Sequence, residues 1–382
     1  MASMCKAPAC RWAQGRERVS VVEVSVIVPA CNVEATLDGC LRSIEGQTLS
    51  AFEAIVLNDG STDATSAIAH GHAARDPRVS VVDKPNEGYG ATCNRGIRLA
   101  QGAWVAIVEP DDYVEPDFLA SMVACAAELG GPAAVDVVKA PYWRLFDADG
   151  TRVKCPYAGR VKPSTQPFAV GAGAELLRHH PAIWAALYSR AYLERAGIRF
   201  VEAPGAGWVD NPFLVETLCR TDRIAYTEAC GYVYRERDLD EAEAAAAKSP
   251  LLPLTRWNDM MDAAEAAGAP AADPCVQAAL ALRGVNYALI TVEAAGRGVP
   301  GVPELLAASF ARLDPAVVWA EPAISPAGRA LFAEVRGLEE PRGGRARRLA
   351  YLAREVLYRV RANGVGFALR TARRRAAEGR LG

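Results

Sequence analysis

Between Val22 and Ala140 the chain repeats one pattern: a short β-branched apolar run, a polar cluster, then an amphipathic stretch at helical spacing. Val22–Val28, Phe52–Leu57, Val79–Asp83, Trp104–Val108 and Val135–Ala140 read as strands, several apolar on both faces as buried sheet strands are. Leu37, Cys40, Leu41 and Ile44 recur at i, i+3, i+4 and i+7, which predicts a helix over 35–47. Helical stretches also fill 64–74, 90–101 and 116–129, the last with Pro116 near its first turn. Strands alternating with helices in this way predict an α/β domain, a mostly parallel sheet with helices on both faces. Ligands of such sheets sit outside the carboxyl ends of the strands, so the loops that follow the strands are where chemistry is expected.

Past residue 140 the alternation loosens. Asp147-Ala148-Asp149-Gly150 signals a turn or hairpin. A helix is expected over Ala185–Ala196, and a second near Asn211–Cys219 after the Gly-rich loop Pro204-Gly205-Ala206-Gly207. Residues 250–340 are Ala-rich, helical and broken by prolines. The expected organisation is an N-terminal extension (1–21), a main domain (22–240) divided near 140, a helical region (241–340) and a basic tail (341–382).

Composition narrows the class. With 51% hydrophobic and 23% charged residues, disorder is excluded. Uninterrupted apolar runs fall short of the ~18 to 20 residues of a bilayer crossing, and residues 1–20 lack the ~7 to 15 residue apolar stretch of a signal peptide. Ten cysteines without a C-x-x-C pair fit reduced thiols, so a cytoplasmic protein is expected. From Arg342 onward twelve arginines face only Glu355 and Glu378, so a chain of net charge −2 has an acidic body and a basic end. An acidic body repels phosphate backbones and argues against nucleic acid as a partner. In the tail, Leu349, Leu352, Val356, Leu357 and Val360 lie at helical spacing among Arg345, Arg348, Arg354, Arg359 and Arg361. Such a helix suits either the surface of an anionic membrane or docking on the acidic body.

Each early strand runs into a polar cluster: Pro29-Ala30-Cys31-Asn32, Asn58-Asp59-Gly60-Ser61-Thr62-Asp63, Asn86-Glu87-Gly88-Tyr89-Gly90 and Glu109-Pro110-Asp111-Asp112-Tyr113. Three acids in four positions repel one another unless a cation lies among them. Oxygen ligands select a hard divalent ion, Mn²⁺ or Mg²⁺, which commonly shares its coordination with substrate phosphates. The Gly-x-x-x-x-Gly-Lys loop of ATPase-type phosphate binding is absent.

These clusters, together with Val24–Asn32, Gln47-Thr48, Asn94-x-Gly96 and Gly102, resemble the family 2 glycosyltransferases over about residues 22–140. A weaker resemblance to the bacterial members that build surface polysaccharides runs through His180–Trp184, Tyr188 and Pro204–Phe213. The resemblance implies a GT-A nucleotide-binding fold followed by a helical C-terminal region, and an inverting transferase that takes a sugar from a nucleotide-sugar, usually a UDP-sugar. Its acceptor would be a saccharide or lipid-linked hydroxyl, reached at the inner face of the plasma membrane. Pro29, Ala30 and Asn32 would border the nucleoside, Asp59 would meet the base, and Asn86 and Gly88 would complete the donor side. Asp111 and Asp112, with Glu109 beside them, would hold the metal against the diphosphate, and Asp210 would be the base. His180, Trp184 and Trp208 would lie toward the acceptor. Asn58 and Glu109 depart from the Asp common at those positions.

Other readings of the same residues stay open. Asp111-Asp112 and Asp210 also suit helix starts, Asp63 suits a cap at Ala64, and Trp184 in its apolar segment suits the core. Arg256-Trp257 reads as coincidence with the Gln-x-x-Arg-Trp signature of processive synthases, since Pro253 stands where that signature has glutamine. A catalytically impaired nucleotide-binding scaffold and a sugar-phosphate nucleotidyltransferase are the alternative functions. The latter requires a basic Gly-rich loop where Pro29–Asn32 stands.

Overall fold

The computed structural model describes residues 22–147, 149–205, 207–236, 249–341, 349–354 and 357. A seven-stranded sheet forms the centre, with strand order β10-β6-β9-β4-β1-β2-β3. Strands β1 (Val24–Ala30), β2 (Phe52–Asp59), β3 (Val79–Lys84) and β4 (Trp104–Ile107) are parallel, as are β6 (Val137–Lys139) and β10 (Ile224–Tyr226). β9 (Ala186–Ser189) runs against its neighbours β4 and β6. Every residue of β1 is buried, as its unbroken apolar run requires. Helices α1 (Leu37–Glu45), α2 (Thr65–Ala73), α3 (Tyr89–Leu99) and α4 (Phe118–Glu128) occupy the expected gaps, with ends within one or two residues of those expected.

One expected element is corrected. Ala185–Ala196 is not one helix, because Ala186–Ser189 is the fully buried antiparallel strand β9. Only α6 (Arg190–Arg195) is helical, started by the Ser189 hydroxyl accepting from Tyr192 N. β9 fills the slot between β4 and β6, and that tertiary demand overrides the local helical spacing. The Asp147–Gly150 turn does join a hairpin, β7 (Tyr142–Phe146) and β8 (Thr151–Lys154). The hairpin belongs to a second sheet of order β5-β11-β7-β8, with β5 at Tyr113–Val114 and β11 at Tyr232–Glu236.

Several residues of the sequence pattern serve the architecture. Gln47 is buried and accepts the Leu119 N–H at the start of α4 at 3.0 Å while donating to Glu115 O. Asn94 clamps the Phe200 backbone from both sides, N–H at 2.8 Å and carbonyl at 3.0 Å. Gly96 lets α3 lie directly on β1, since a Cβ there would come within 2.5 Å of Ile27 Cγ2. The described cysteines are free thiols.

Beyond β11, α8 (Leu252–Ala267), α9 (Pro274–Ala295), α10 (Val302–Ala311), α11 (Pro315–Ala320) and α12 (Pro326–Arg336) follow, with α8 packed on α7 (Asp210–Cys219) and α9 on α5 (Glu175–Arg178). Helix α9 is long and apolar enough to cross a bilayer, but 56% of its apolar window is buried inside the protein, which marks a core helix. The expected tail helix lies mostly outside the described residues; of those described, Leu349, Leu352 and Leu357 are exposed.

Candidate functional site

The carboxyl ends of β1, β2, β3 and β4 bring the four polar clusters to one edge of the sheet, where they bind one another. Asn32, in the left-handed region at φ 52°, accepts the Thr62 N–H at 2.8 Å, and its own N–H donates to Ser61 Oγ. That ties the loop after β1 to the loop after β2. Pro29 and Ala30 are the buried last residues of β1. Asn58 accepts Ser61 N–H and donates to Asp83, so an amide serves there as both acceptor and donor. Asp63 accepts Thr65 N–H at 2.9 Å and thus caps the start of α2, as expected.

Asp59 is 4% exposed, and both carboxylate oxygens are engaged. Oδ1 receives the Lys84 ammonium and the Glu87 N–H, and Oδ2 receives the Gly88 N–H at 3.0 Å. Burial pushes this carboxyl up, but Lys84 and the loop amides outweigh it and hold it below its ordinary range. Asn86 donates to Asp59 O and Cys31 Sγ. Gly88, at φ 89°, sits against the 203–205 loop, where a Cβ would lie 2.4 Å from Ala203 O. Only glycine fits such a contact in that conformation.

At the end of β4, Glu109, Asp111 and Asp112 separate into different roles. Asp112 is 3% exposed; its Oδ2 accepts from Tyr232 Oη and its Oδ1 from Arg235 N, both at 2.8 Å. It pins the acidic turn to β11. Glu109 accepts from Tyr89 Oη at 2.5 Å. Burial pushes its carboxyl well above the ordinary range, the Tyr89 bond opposes this, and Asp111, Asp112 and Asp210 add to the rise. Asp111 is half-buried at the tip. Among the described residues no three His, Cys, Asp or Glu side chains form a ready-made cage for a metal ion. Hard oxygen donors offered by one or two carboxylates do fit Mg²⁺ or Mn²⁺ in the mode where substrate phosphates and water complete the shell. Asp112 is bonded by β11 on both oxygens, and Glu109 and Asp111 are the other oxygen donors of the turn.

Asp210 opens α7, within electrostatic reach of Glu109 at the end of β4. Its carboxyl is raised by burial, while Arg283 and the amides of Asn211 pull it back. Two residues earlier Trp208 adopts φ 56°, a strained state for a bulky side chain. Its ring meets Tyr287 edge-on at 5.3 Å. His180 is exposed and lies 5.2 Å from the Tyr234 ring. Trp184 is corrected: at 3% exposure, with Tyr232 and Tyr234 stacked against it, its ring is core and has no face for a sugar. Arg235 pairs with Asp147 at 3.1 Å.

Sequence reasoning missed Lys84, Tyr89, Tyr232 and, above all, Arg283 and Tyr287 of α9, which reach Asn211 beside Asp210. The available signal was one arginine in the middle of a 22-residue apolar helix.

Comparison with known proteins agrees with this geometry. The family model described as glycosyl transferase family 2 matches residues 25–178. The uncharacterized glycosyltransferase EpsJ of Bacillus subtilis is 32% identical over 225 residues, covering 56% of this chain and 61% of EpsJ. Succinoglycan biosynthesis protein ExoO of Rhizobium meliloti is 31% identical over 225 residues, covering 57% and 62%. The chain thus spans about three fifths of the length of these curated relatives. S. aureus TarS 1–349, solved with UDP-GlcNAc, superposes with a TM-score of 0.62 at 20% identity, covering 87% of this chain and 92% of TarS. That likeness shows a shared GT-A fold. Residues 25–178 therefore match a family 2 glycosyltransferase domain.

Proposed function

We propose that the protein is a metal-dependent, inverting glycosyltransferase that moves one sugar from a UDP-sugar to an acceptor hydroxyl in surface polysaccharide or glycoconjugate synthesis. The observation that carries this reading is the gathering of the four polar loops at the carboxyl ends of β1–β4, with Asp210 within electrostatic reach of Glu109. Relatives named for glycosyl transfer and succinoglycan biosynthesis support the substrate class, and TarS, with UDP-GlcNAc bound, shares the fold.

Pro29, Ala30, Asn32 and the Asn86–Gly88 loop border the nucleoside, with Asp59 holding that loop in shape. Asp111, with Glu109, would hold Mn²⁺ or Mg²⁺, which when bound would supply Lewis acidity to the departing phosphate oxygens. Asp210 takes the proton from the acceptor hydroxyl as that oxygen bonds to the sugar's carbon 1. The bond from carbon 1 to the diphosphate oxygen breaks with its electron pair, and UDP leaves. One displacement inverts carbon 1. His180 and Trp208 line the acceptor side, and the acceptor is a saccharide or lipid-linked hydroxyl met at the cytoplasmic face of an anionic membrane.

Calorimetric titration of UDP with and without Mn²⁺, followed by a turnover screen of nucleotide-sugars, tests this. Tight UDP binding only with Mn²⁺ and turnover of a UDP-sugar are expected. UDP affinity indifferent to Mn²⁺ refutes the metal role, and metal-dependent binding without turnover of any donor leaves a scaffold.

A further inference from the structure

The buried polar groups at the start of α7 converge on Arg283, 4% exposed in the middle of apolar α9. One guanidinium nitrogen donates to Leu177 O at 3.3 Å. The other donates to Tyr287 Oη at 2.6 Å and to Asn211 Oδ1, and Tyr287 Oη donates to the same Asn211 oxygen at 2.8 Å. Asn211 Nδ2 then donates to Asp210 Oδ1 at 3.0 Å. Every acceptor of this buried cation is neutral, and a buried charge bonded only to neutral groups is expensive unless an opposite charge lies near. The acidic group joined to it, through the Asn211 amide, is Asp210, whose carboxyl Arg283 pulls down.

We propose that Arg283 is a positioning residue for Asp210: through Asn211 it fixes the carboxylate at the start of α7 and sets a positive charge against it. The inference rests on the transferase reading, in which Asp210 is the base. It gives the helical region beyond residue 250 a part in the reaction, because the residue that orients the base comes from there. The other groups facing Asp210 are Glu109 after β4, Tyr89 of α3, Tyr234 of β11 and Tyr287 of α9. None of these supplies a positive charge. Removing Arg283 therefore favours the protonated carboxyl and leaves the Asn211 oxygen held by Tyr287 alone.

The test compares Arg283→Met and Arg283→Lys with the wild-type chain, each first checked for folding by circular dichroism. Two readouts follow: kcat and donor KM across pH, and titration of the Asp210 carboxyl by carbon-13 NMR, its signal assigned by loss in Asp210→Asn. Arg283→Met should lower kcat at least about tenfold through misorientation, with donor KM within about threefold. Its Asp210 midpoint and the acidic limb of kcat should both move up by roughly one pH unit. Arg283→Lys keeps the charge but loses the planar fork, so the midpoint should stay while kcat still falls. A folded Arg283→Met with unmoved midpoint and unchanged kcat overturns the inference, as does a fully active Arg283→Lys. If Asp210→Asn turns over normally, the base assignment fails instead, while the NMR midpoint still reports whether Arg283 acts on Asp210.

Discussion

Replacing Asp59 separates two purposes for the loop after β2. The family resemblance assigns this residue to the base of the nucleotide, whereas the structure commits its carboxylate to Lys84 and the 87–88 amides. Asp59→Asn leaves the fully buried Lys84 ammonium facing an amide; its remaining partners are Glu87 at 3.0 Å, half in water, and Pro85 O at 3.3 Å. Breaking a buried pair from one side costs about 3–5 kcal/mol, and Glu87 argues for the lower end. In Asp59→Asn/Lys84→Met neither charge is buried, and the new amide still offers an oxygen to the loop N–H groups. Lys84→Met should therefore cost at least about 2 kcal/mol less in the Asp59→Asn background than in the wild type, a coupling well outside the ~0.5 kcal/mol scatter of independent sites. Urea denaturation of the four chains measures it. The Asp59 carboxyl is depressed on folding, so its contribution is present above the unfolded value of about 3.9 and lost as pH falls through the folded value. Below about pH 4 the wild type should lose stability more steeply than Asp59→Asn. Additive costs, with UDP affinity lost and stability kept, would refute the anchoring role and return Asp59 to the base.

The acids of the β4 turn should part company under mutation. Asp111→Asn should abolish transfer and weaken Mn²⁺-dependent UDP binding while the chain stays folded. Asp112→Asn should lower stability by about 1–3 kcal/mol in denaturant titrations, because an amide cannot accept from Tyr232 and Arg235 N on both sides; equal stability of the two variants would contradict the division of roles. Asp210→Asn should cut turnover about 10²-fold or more with donor affinity kept, and unchanged turnover in a kinetic assay would reduce Asp210 to a helix start. For the tail, a chain ending at Glu340 should stay folded and lose co-sedimentation with anionic liposomes but not with neutral ones. Full-length protein that ignores both kinds would leave docking on the acidic body.

Residues whose work is local were legible, and residues whose work is tertiary were not. The first four strands and their helices were readable because a buried parallel strand must be an unbroken apolar run and an amphipathic helix must repeat at 3.6 residues. The same logic failed at Ala186–Ser189, whose four buried residues fit either period until β4 and β6 are seen to leave a slot between them. Motif residues lie at the carboxyl edge of the sheet, but type alone does not say what each acid does: Asp112 is bonded by Tyr232 and Arg235, at least 120 residues on. Trp184 was ambiguous for the same reason, since β11 decides whether its ring is covered. Arg283 is the instructive case, because its signal was energetic and not a motif. An arginine inside α9 costs several kcal/mol unless partners offset it, so the sequence already demanded acceptors for it. Tyr287 lies one turn along α9, but Leu177 O of α5 and Asn211 of α7 are 106 and 72 residues away in the chain, and only the fold brings them to Arg283. The buried cation thus ties the helical region to the start of α7.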